Sequence, residues 1–363
     1  MRLINCETME LEEHNGASLP DYGILSHTWG LGEVLFEDLS SQNLNNKKEA
    51  AKIHQTCRLA QQHNLNYAWI DTCCIDKSSS AELTEAINSM FVWYARSKRC
   101  FIYLNDLDSK DAKSDLSRCR WFTRGWTLQE LIASTDAYFY DKRWRYIGSK
   151  QELSAVLATI TGIERPIMNG TYPLSRVSVA KKMSWAAHRE TTREEDLAYC
   201  LIGIFGISMS LVYGEGKRAF IRLQEEIMKE TNDLTLFAWQ VDPATVEQRP
   251  YRGILATSPN EFGGAGAIVS SSNTKNNPEF AMTNKGLRIE TSFGRGHGTS
   301  IILPLNCHQK SLEHNAIGIS LVSVGANVYV RDEPQRLEIH GAGLAAKSDR
   351  IYIMKHVDDV RYL

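Results

Sequence analysis

The first 150 residues alternate short apolar runs with amphipathic helical patterns, and this alternation limits the fold more than any other feature of the chain. Apolar runs lie at residues 22–26, 67–71, 99–104 and 137–140. Between them lie helical patterns, at 47–63 and after the capping box Ser79-x-x-Glu82. Because strands joined through helices form parallel sheets, this order predicts an α/β fold with helices on both faces of the sheet. We expect the four strands in the order 2-1-3-4, extended by a possible fifth.

The later sequence predicts a helical section and then a β-rich section. Helical patterns lie at 177–187, 194–205 and 216–230, the second with the capping box Thr192-x-x-Glu195 at its start and Gly206 at its end. From about Phe237 onward apolar residues alternate with period two, as at Leu287 and Ile289. We therefore predict an α/β domain at 1–150, a helical extension at 151–235 and a β-rich C-terminal region at 236–363.

Composition sets limits on partners and location. The 363 residues carry a formal net charge of -2, and the sequence pI is about 6.6, so no global charge favours nucleic acid or an anionic membrane. No segment resembles a signal peptide or reaches the roughly 18 apolar residues that span a bilayer. The eight cysteines lack C-x-x-C spacing, which is typical of reduced thiols rather than a zinc site. We expect a soluble cytoplasmic protein that binds neither nucleic acid nor membrane.

Polar and aromatic side chains follow the predicted strands, where parallel α/β sheets bind ligands. This rim suits a ligand with ring faces and hydroxyls or phosphates. Its candidate residues are Ser26, His27 and Trp29 after the first strand, Asp71 after the second, and Arg124 and Trp126 at the start of a later helix. Each has a plainer interpretation, since His27 can cap a strand end and Asp71 can stabilise a turn.

The stretch 121–134, W-F-T-R-G-W-T-L-Q-E-L-I-A-S, predicts a short amphipathic helix that carries one carboxylate, Glu130. Leu128 and Leu131 share a face that can pack on a core, while Thr127, Glu130 and Ser134 share the opposite side. We therefore expect Glu130 on the polar side of its helix. A solvated glutamate is the plainer interpretation.

Three blocks resemble the signature blocks of the fungal heterokaryon incompatibility (HET) domain. They are Y-G-I-L-S-H-T-W-G at 22–30, Y-A-W-I-D-T-C-C-I-D-K at 67–77 and R-G-W-T-L-Q-E-L at 124–131, in the family's order. A later stretch, which begins S-W-A-A-H-R-E-T-T-R-E-E-D at 184–196, resembles the segment that follows the domain in many fungal members. The resemblance implies a protein of the incompatibility, cell-death or defence type.

The HET domain is in turn similar to TIR domains, which implies a TIR/flavodoxin-like parallel sheet. Many plant TIR domains carry a W-C-L-x-E-L block whose glutamate is needed for NAD+ cleavage. Residues 126–131 match that block except for Thr127, which would make Glu130 the catalytic residue. The substrate would be NAD+ or a related nucleotide, with no separate cofactor and no metal. The substrate-binding residues would be Ser26, His27, Trp29, Asp71, Arg124 and Trp126.

Two classes of function stay open. One is an NAD+ nucleosidase, in which a carboxylate stabilises the positive charge that develops on ribose as the nicotinamide–ribose bond breaks. The other is a non-enzymatic signalling module that forms homo-oligomers through TIR-like surfaces on activation. A metal-dependent hydrolase built on His27, Asp71 and Asp76 is a third interpretation, although no zinc-type ligand spacing supports it.

Overall fold

A computed structural model describes residues 1–14, 19–40, 47–108, 115–245, 251–271, 277–311, 315–341 and 348–357. The strands of its N-terminal part are β1 (Arg2–Asn5), β2 (Leu11–Glu13), β3 (Tyr22–His27), β4 (Tyr67–Trp69), β5 (Arg99–Tyr103), β6 (Ala137–Tyr140) and β7 (Tyr146–Ser149). The helices there are α1 (Phe36–Ser40), α2 (Ala50–Gln62), α3 (Ser80–Arg96), α4 (Trp126–Ala133), α5 (Ser154–Thr161) and α6 (Arg165–Met168), with 3-10 helices at Leu116–Arg118 and Arg120–Thr123.

The described strands of this part form one sheet in the order β2-β1-β4-β3-β5-β6-β7. The four central strands are parallel, and Ile24 of β3 pairs with Trp69 on one side and Cys100 on the other. The predicted strand order 2-1-3-4 is therefore confirmed. The antiparallel edge formed by β1 and β2 is not among the predicted strands. Strand β7, antiparallel to β6, extends the other edge.

Helices cover both faces of the sheet, as predicted. Gly23 lies on one face, where a Cβ would come within 2.7 Å of the Phe101 ring and 3.4 Å of Ala60 in α2. Side chains alternate along a strand, so Tyr22 lies on the opposite face. There its hydroxyl donates a hydrogen bond of 2.6 Å to the carbonyl of Trp93 in α3.

The chain forms two compact units that interleave in sequence. Unit 1 comprises 1–174, 189–192 and 199–211, and unit 2 comprises 175–188, 193–198 and 212–363. The next elements are α7 (Val179–Ser184), α8 (Asp196–Tyr199), α9 (Ile202–Phe205) and α10 (Arg218–Glu230), with 3-10 helices at Leu174–Arg176, Leu234–Phe237, Pro243–Thr245 and Pro259–Ala267. The division into 1–150, 151–235 and 236–363 stays a prediction.

The helix predicted at 194–205 is wrong as a continuous element, because two short helices, α8 and α9, replace it. The carboxylate of Glu195 accepts hydrogen bonds from the backbone N–H groups of Gly214 (2.8 Å) and Gly216 (2.9 Å). It therefore stabilises a turn further along the chain. The predicted helix end is confirmed, since Gly206 adopts the left-handed conformation at φ 67°.

The β-rich C-terminal part is confirmed. Its strands are β8 (Tyr251–Arg252), β9 (Ile268–Ser270), β10 (Phe280–Thr283), β11 (Gly286–Ser292), β12 (Gly294–Arg295), β13 (Ile301–Gln309), β14 (Asn315–Gly325), β15 (Val328–Asp332), β16 (Glu338–Gly341) and β17 (Ser348–Ile353). They form one mixed, mostly antiparallel sheet in which seven strands follow the path β10-β11-β17-β15-β14-β13-β12. The other three pair off this path: β16 with β14, β8 with β15 and β9 with β13. Alternating residues such as Leu287 and Ile289 are buried, as the period-two pattern requires. Over the described ranges, no helix combines the length and apolarity needed to cross a membrane.

Candidate functional site

Helix α4 carries Glu130 and is enclosed on nearly every side. Thr127 is 2% exposed, Glu130 4% and Ser134 1%, so the plainer interpretation of Glu130 as a solvated glutamate is wrong. Helices α3, α6 and α9 pack around α4. Two of these covering helices come from later parts of the chain, and the local pattern of α4 contains no signal for them.

The carboxyl group of Glu130 lies at the carboxyl end of β3 inside a hydrogen-bonded network. Ser26 donates a hydrogen bond to Glu130 Oε2, and Trp121 Nε1 donates to Ser26 Oγ at 2.8 Å. Tyr94 of α3 donates to the carbonyl of Leu25 at 3.0 Å and also interacts with Glu130. We call Ser26, Tyr94, Trp121, Glu130 and the buried Arg189 the glutamate cluster.

Burial dominates the electrostatics of this cluster. Desolvation raises the pKa of Glu130 to about 8, and the charge of Asp71 adds to the increase. Hydrogen bonds from Ser26 and Tyr94 and the positive charge of Arg189 act in the opposite direction. The carboxyl group is therefore mostly protonated at neutral pH in this conformation.

His27 lies on the opposite face of β3 from Ser26, because successive residues of a strand point to opposite faces. Its Nε2 is 3.6 Å from Glu33 Oε2, and its Nδ1 is 4.0 Å from Asp71 Oδ1. Glu33 also forms an ion pair with Lys52 of α2, which is 3% exposed. Burial opposes ionisation of Glu33, but His27, Lys52 and the backbone N–H of Gly30 together lower its pKa to about 2.

Trp29 presents a half-exposed indole ring at the same end of the sheet. The side chain is 46% exposed, and its Nε1 donates a hydrogen bond of 2.9 Å to Asp71 Oδ2. Lys77 Nζ lies 3.6 Å from the ring centroid, which is a cation–π contact. Burial lowers the pKa of Lys77. We call His27, Trp29, Glu33, Lys52, Asp71 and Lys77 the rim cluster.

Asp71 connects the two clusters, since it contacts His27 and Trp29 and acts electrostatically on Glu130. Five of the seven predicted site residues therefore fall into two linked groups: Ser26 and Glu130 on one face of β3, and His27, Trp29 and Asp71 at its end and on the other face. The other two lie at the start of α4. Arg124 donates a hydrogen bond of 3.3 Å to Thr192 Oγ1, and Trp126 is half-buried in the first turn.

Sequence reasoning missed several members of these clusters. Trp121 opens the tryptophan-rich stretch and Lys77 closes the second signature block, so both had a signal. Tyr94 lies among the buried, mostly apolar residues of α3, so its pattern indicated a core position. Arg189 lies in a stretch for which no role in the site was predicted. Arg120 adds an exposed cation, with its Nη1 3.4 Å from the carbonyl of Trp29.

The described residues offer no set of ligands for the metal-dependent hydrolase. Within the described part of the chain, no group of three or more His, Cys, Asp or Glu side chains could hold a metal ion. The eight cysteines are buried free thiols.

A family profile identifies the domain that contains this parallel α/β sheet and its polar carboxyl end. Residues 22–114 match the profile of the family described as heterokaryon incompatibility protein (HET), so this chain contains a HET domain. Glu130 and Arg189 both lie beyond the matched residues. Residues 218–253 match a second profile, described as a domain of unknown function (DUF8212).

A named relative makes the comparison more specific. The chain is 46% identical over 223 residues to the vegetative incompatibility protein HET-E-1 of Podospora anserina. The match covers 58% of this chain and 16% of that protein, so the chain spans about one sixth of the relative's length. No solved structure matches the chain.

Proposed function

We propose that this HET-domain protein acts in a fungal incompatibility, cell-death or defence response. The HET match and the incompatibility relative support this class of function. The proposal includes a cytoplasmic location and self-association of the chain on activation.

At the level of chemistry, we propose that a TIR-like site cleaves NAD+ at the nicotinamide–ribose bond. The observation that carries this proposal is the position of the Glu130 carboxyl, at the end of a central parallel strand and hydrogen-bonded by Ser26. In the ionised form, this carboxylate would stabilise the positive charge that develops on ribose, while nicotinamide leaves as a neutral molecule. The match of residues 126–131 to the TIR block supports the same role.

The rim cluster would bind the rest of the substrate. Trp29 is held by Asp71 on its edge and by Lys77 over its ring, and its exposed surface suits stacking of a planar base. Arg120, whose side chain is exposed, would attract the pyrophosphate. This assignment replaces Arg124, whose guanidinium donates to Thr192.

The enclosed carboxyl implies that the active conformation differs from this one. Glu130 is 4% exposed and mostly protonated at neutral pH, so substrate cannot reach it and it lacks the required charge. Opening of the site would hydrate the carboxyl, lower its pKa and admit NAD+. Self-association is the proposed event that opens it.

The second candidate is a signalling module without enzymatic activity, and the burial of Glu130 favours it. A neutral, fully hydrogen-bonded carboxyl inside a domain can serve the fold alone. In this case the two clusters would stabilise unit 1, and assembly surfaces would carry the signal.

Release of nicotinamide from NAD+ distinguishes the two candidates. The purified full chain is incubated with NAD+ over a range of protein concentrations, with self-association followed by light scattering. Cleavage should increase more than linearly with protein concentration, and Glu130→Gln should lower it about 10²–10³-fold. Glu85→Gln, at an exposed position of α3, is the matched control and should keep full activity. Wild-type protein that self-associates and still leaves NAD+ intact would establish the signalling module instead.

A further inference from the structure

A short segment that lies far along the chain docks on the start of α4. Glu190 donates a backbone hydrogen bond of 2.7 Å to Thr123, and Gly125 donates one of 2.9 Å to Glu190. Arg124 and Glu190 form a parallel β-bridge. Residues 189–192 belong to unit 1.

Arg189 anchors this segment from the inside. The residue is 7% exposed, and its Nη1 donates hydrogen bonds to the carbonyl of Arg124 at 2.8 Å and to Thr127 Oγ1 at 3.2 Å. Thr127 lies in the first turn of α4, three residues before Glu130. The guanidinium therefore fixes the turn on which the position of Glu130 depends.

Arg189 also supplies charge to the glutamate cluster. Titratable groups that act on Glu130 include Asp71 after β4, Tyr94 on α3, Cys100 on β5 and Arg189. Of these four groups, Arg189 is the cation. Burial lowers its pKa to about 10, with Cys200 and Glu130 opposing the decrease, so it stays protonated at neutral pH.

We propose that Arg189 is a positioning residue for Glu130, because its buried guanidinium is hydrogen-bonded to Arg124 and Thr127 and so holds the first turn of α4 with a positive charge at the glutamate cluster. The inference rests on the proposed role of Glu130. Its first test does not depend on cleavage. A residue that only braced the fold would change stability without changing how Glu130 titrates.

The first test is the titration of Glu130 in the full chain. Protein carrying ¹³C-carboxyl-labelled glutamate is followed by NMR, and the Glu130 signal is assigned by its loss in Glu130→Gln. Arg189→Met should move the titration midpoint of Glu130 to higher pH, because the stabilising cation is gone. Arg189→Lys should restore most of the wild-type midpoint. The control Arg165→Met removes an exposed arginine of the same unit and should leave the midpoint unchanged. A folded Arg189→Met variant with the wild-type midpoint would overturn the proposal.

Arg189→Lys and one further variant keep the test decisive if Arg189→Met does not fold. Arg189→Lys alone should keep the Glu130 midpoint near that of the wild type, and a large upward shift would contradict the role of the charge. The double variant Glu130→Gln/Arg189→Met removes both partners. This double variant should fold cooperatively at alkaline pH even where Arg189→Met does not, because no buried carboxylate is left unpaired. A double variant that is also unfolded would show that Arg189 only stabilises the fold.

Cleavage of NAD+ gives the second readout. Arg189→Met should lower kcat about 10²-fold with a smaller change in KM, since a misplaced catalytic group acts mainly on the reaction step. Its pH profile should move to higher pH, and Arg189→Lys should restore the profile. A wild-type chain that does not cleave NAD+ would contradict the proposed function, whereas the titration would still decide the role of Arg189.

Discussion

Glu130 makes the stability of unit 1 depend on pH in a direction opposite to that of most carboxyl groups. Its pKa is about 8 in the folded chain, against an ordinary value of 4.5. Because the folded pKa is higher, the contribution of Glu130 to stability is complete below about pH 4.5 and is lost as the pH rises through about 8. Each pH unit within this window costs up to about 1.4 kcal/mol.

Glu130→Gln should remove this dependence. The amide keeps the size of the side chain and cannot ionise, so the variant should melt at a higher temperature than wild type at about pH 8 and at a similar temperature at about pH 5. Thermal unfolding across this range measures the difference, with Glu85→Gln as the control for loss of an exposed carboxylate. A Glu130→Gln variant that is less stable than wild type at both pH values would contradict the shifted pKa.

Trp29 should contribute to nucleotide binding without contributing much to the fold. Trp29→Ala should weaken NAD+ binding by roughly 1–3 kcal/mol, the usual worth of stacking a base on an aromatic ring. Trp29→Phe should retain most of the affinity. Calorimetry in the Glu130→Gln background measures binding without turnover. Equal affinities for the alanine variant and its parent would remove Trp29 from the site.

At the scale of elements, Gly125 explains why a glycine precedes the tryptophan of the third signature block. A Cβ at this position would lie 2.6 Å from Thr191 Cγ2 and 3.2 Å from Cys200 Sγ. The start of α4 therefore packs directly against residues that come much later in the chain.

Gly125→Ala should destabilise unit 1 by about 1–3 kcal/mol, because the added methyl group overpacks this contact. Thr191→Ser removes the nearest methyl group and should recover part of the loss in the double variant. Gly30→Ala is a suitable control, since the closest atom to its Cβ would be 3.6 Å away. Chemical denaturation measures all four proteins. A Gly125→Ala variant as stable as wild type would show that residues 189–192 do not pack tightly on α4.

The sequence predicted those parts of the fold that depend on local pattern. The central strands and helix α3 follow from periodicity and from the cap at Ser79, whose hydroxyl accepts a hydrogen bond from the backbone N–H of Glu82. The proximity of Ser26 and Glu130 followed from the rule that parallel strands end at one edge. The burial of Glu130 could not be predicted, because α9 and Arg189 come from distant sequence.

At the scale of the whole molecule, unit 1 is not a continuous piece of chain. Helix α9 belongs to it and packs closely on α3, where a Cβ at Gly203 would come within 2.2 Å of Phe91 Cβ. Residues 189–192 cover the start of α4 in the same way. Unit 1 therefore needs residues up to 211 to bury its apolar faces.

A fragment of residues 1–150 should consequently be less stable than one of residues 1–211. Without α9 and residues 189–192, the shorter fragment exposes apolar surface of α3 and α4, which favours aggregation and dye binding. Thermal unfolding and fluorescence of a hydrophobic dye compare the two fragments. Cooperative unfolding of the shorter fragment at the melting temperature of the longer one would contradict this dependence.

Because the two units interleave in sequence, the ribosome synthesises the parts of unit 1 at different times. When residue 150 has been added, the sheet, α3 and α4 exist as sequence, but α6, Arg189 and α9, which complete the enclosure of Glu130, have not been translated. Residue 211 follows about 3–12 s later at the usual 5–20 residues per second. During this interval the nascent chain lacks both the cation at position 189 and the helix that covers α4. The glutamate cluster can therefore close only after Arg189 and α9 have been synthesised, later than all strands of the N-terminal sheet.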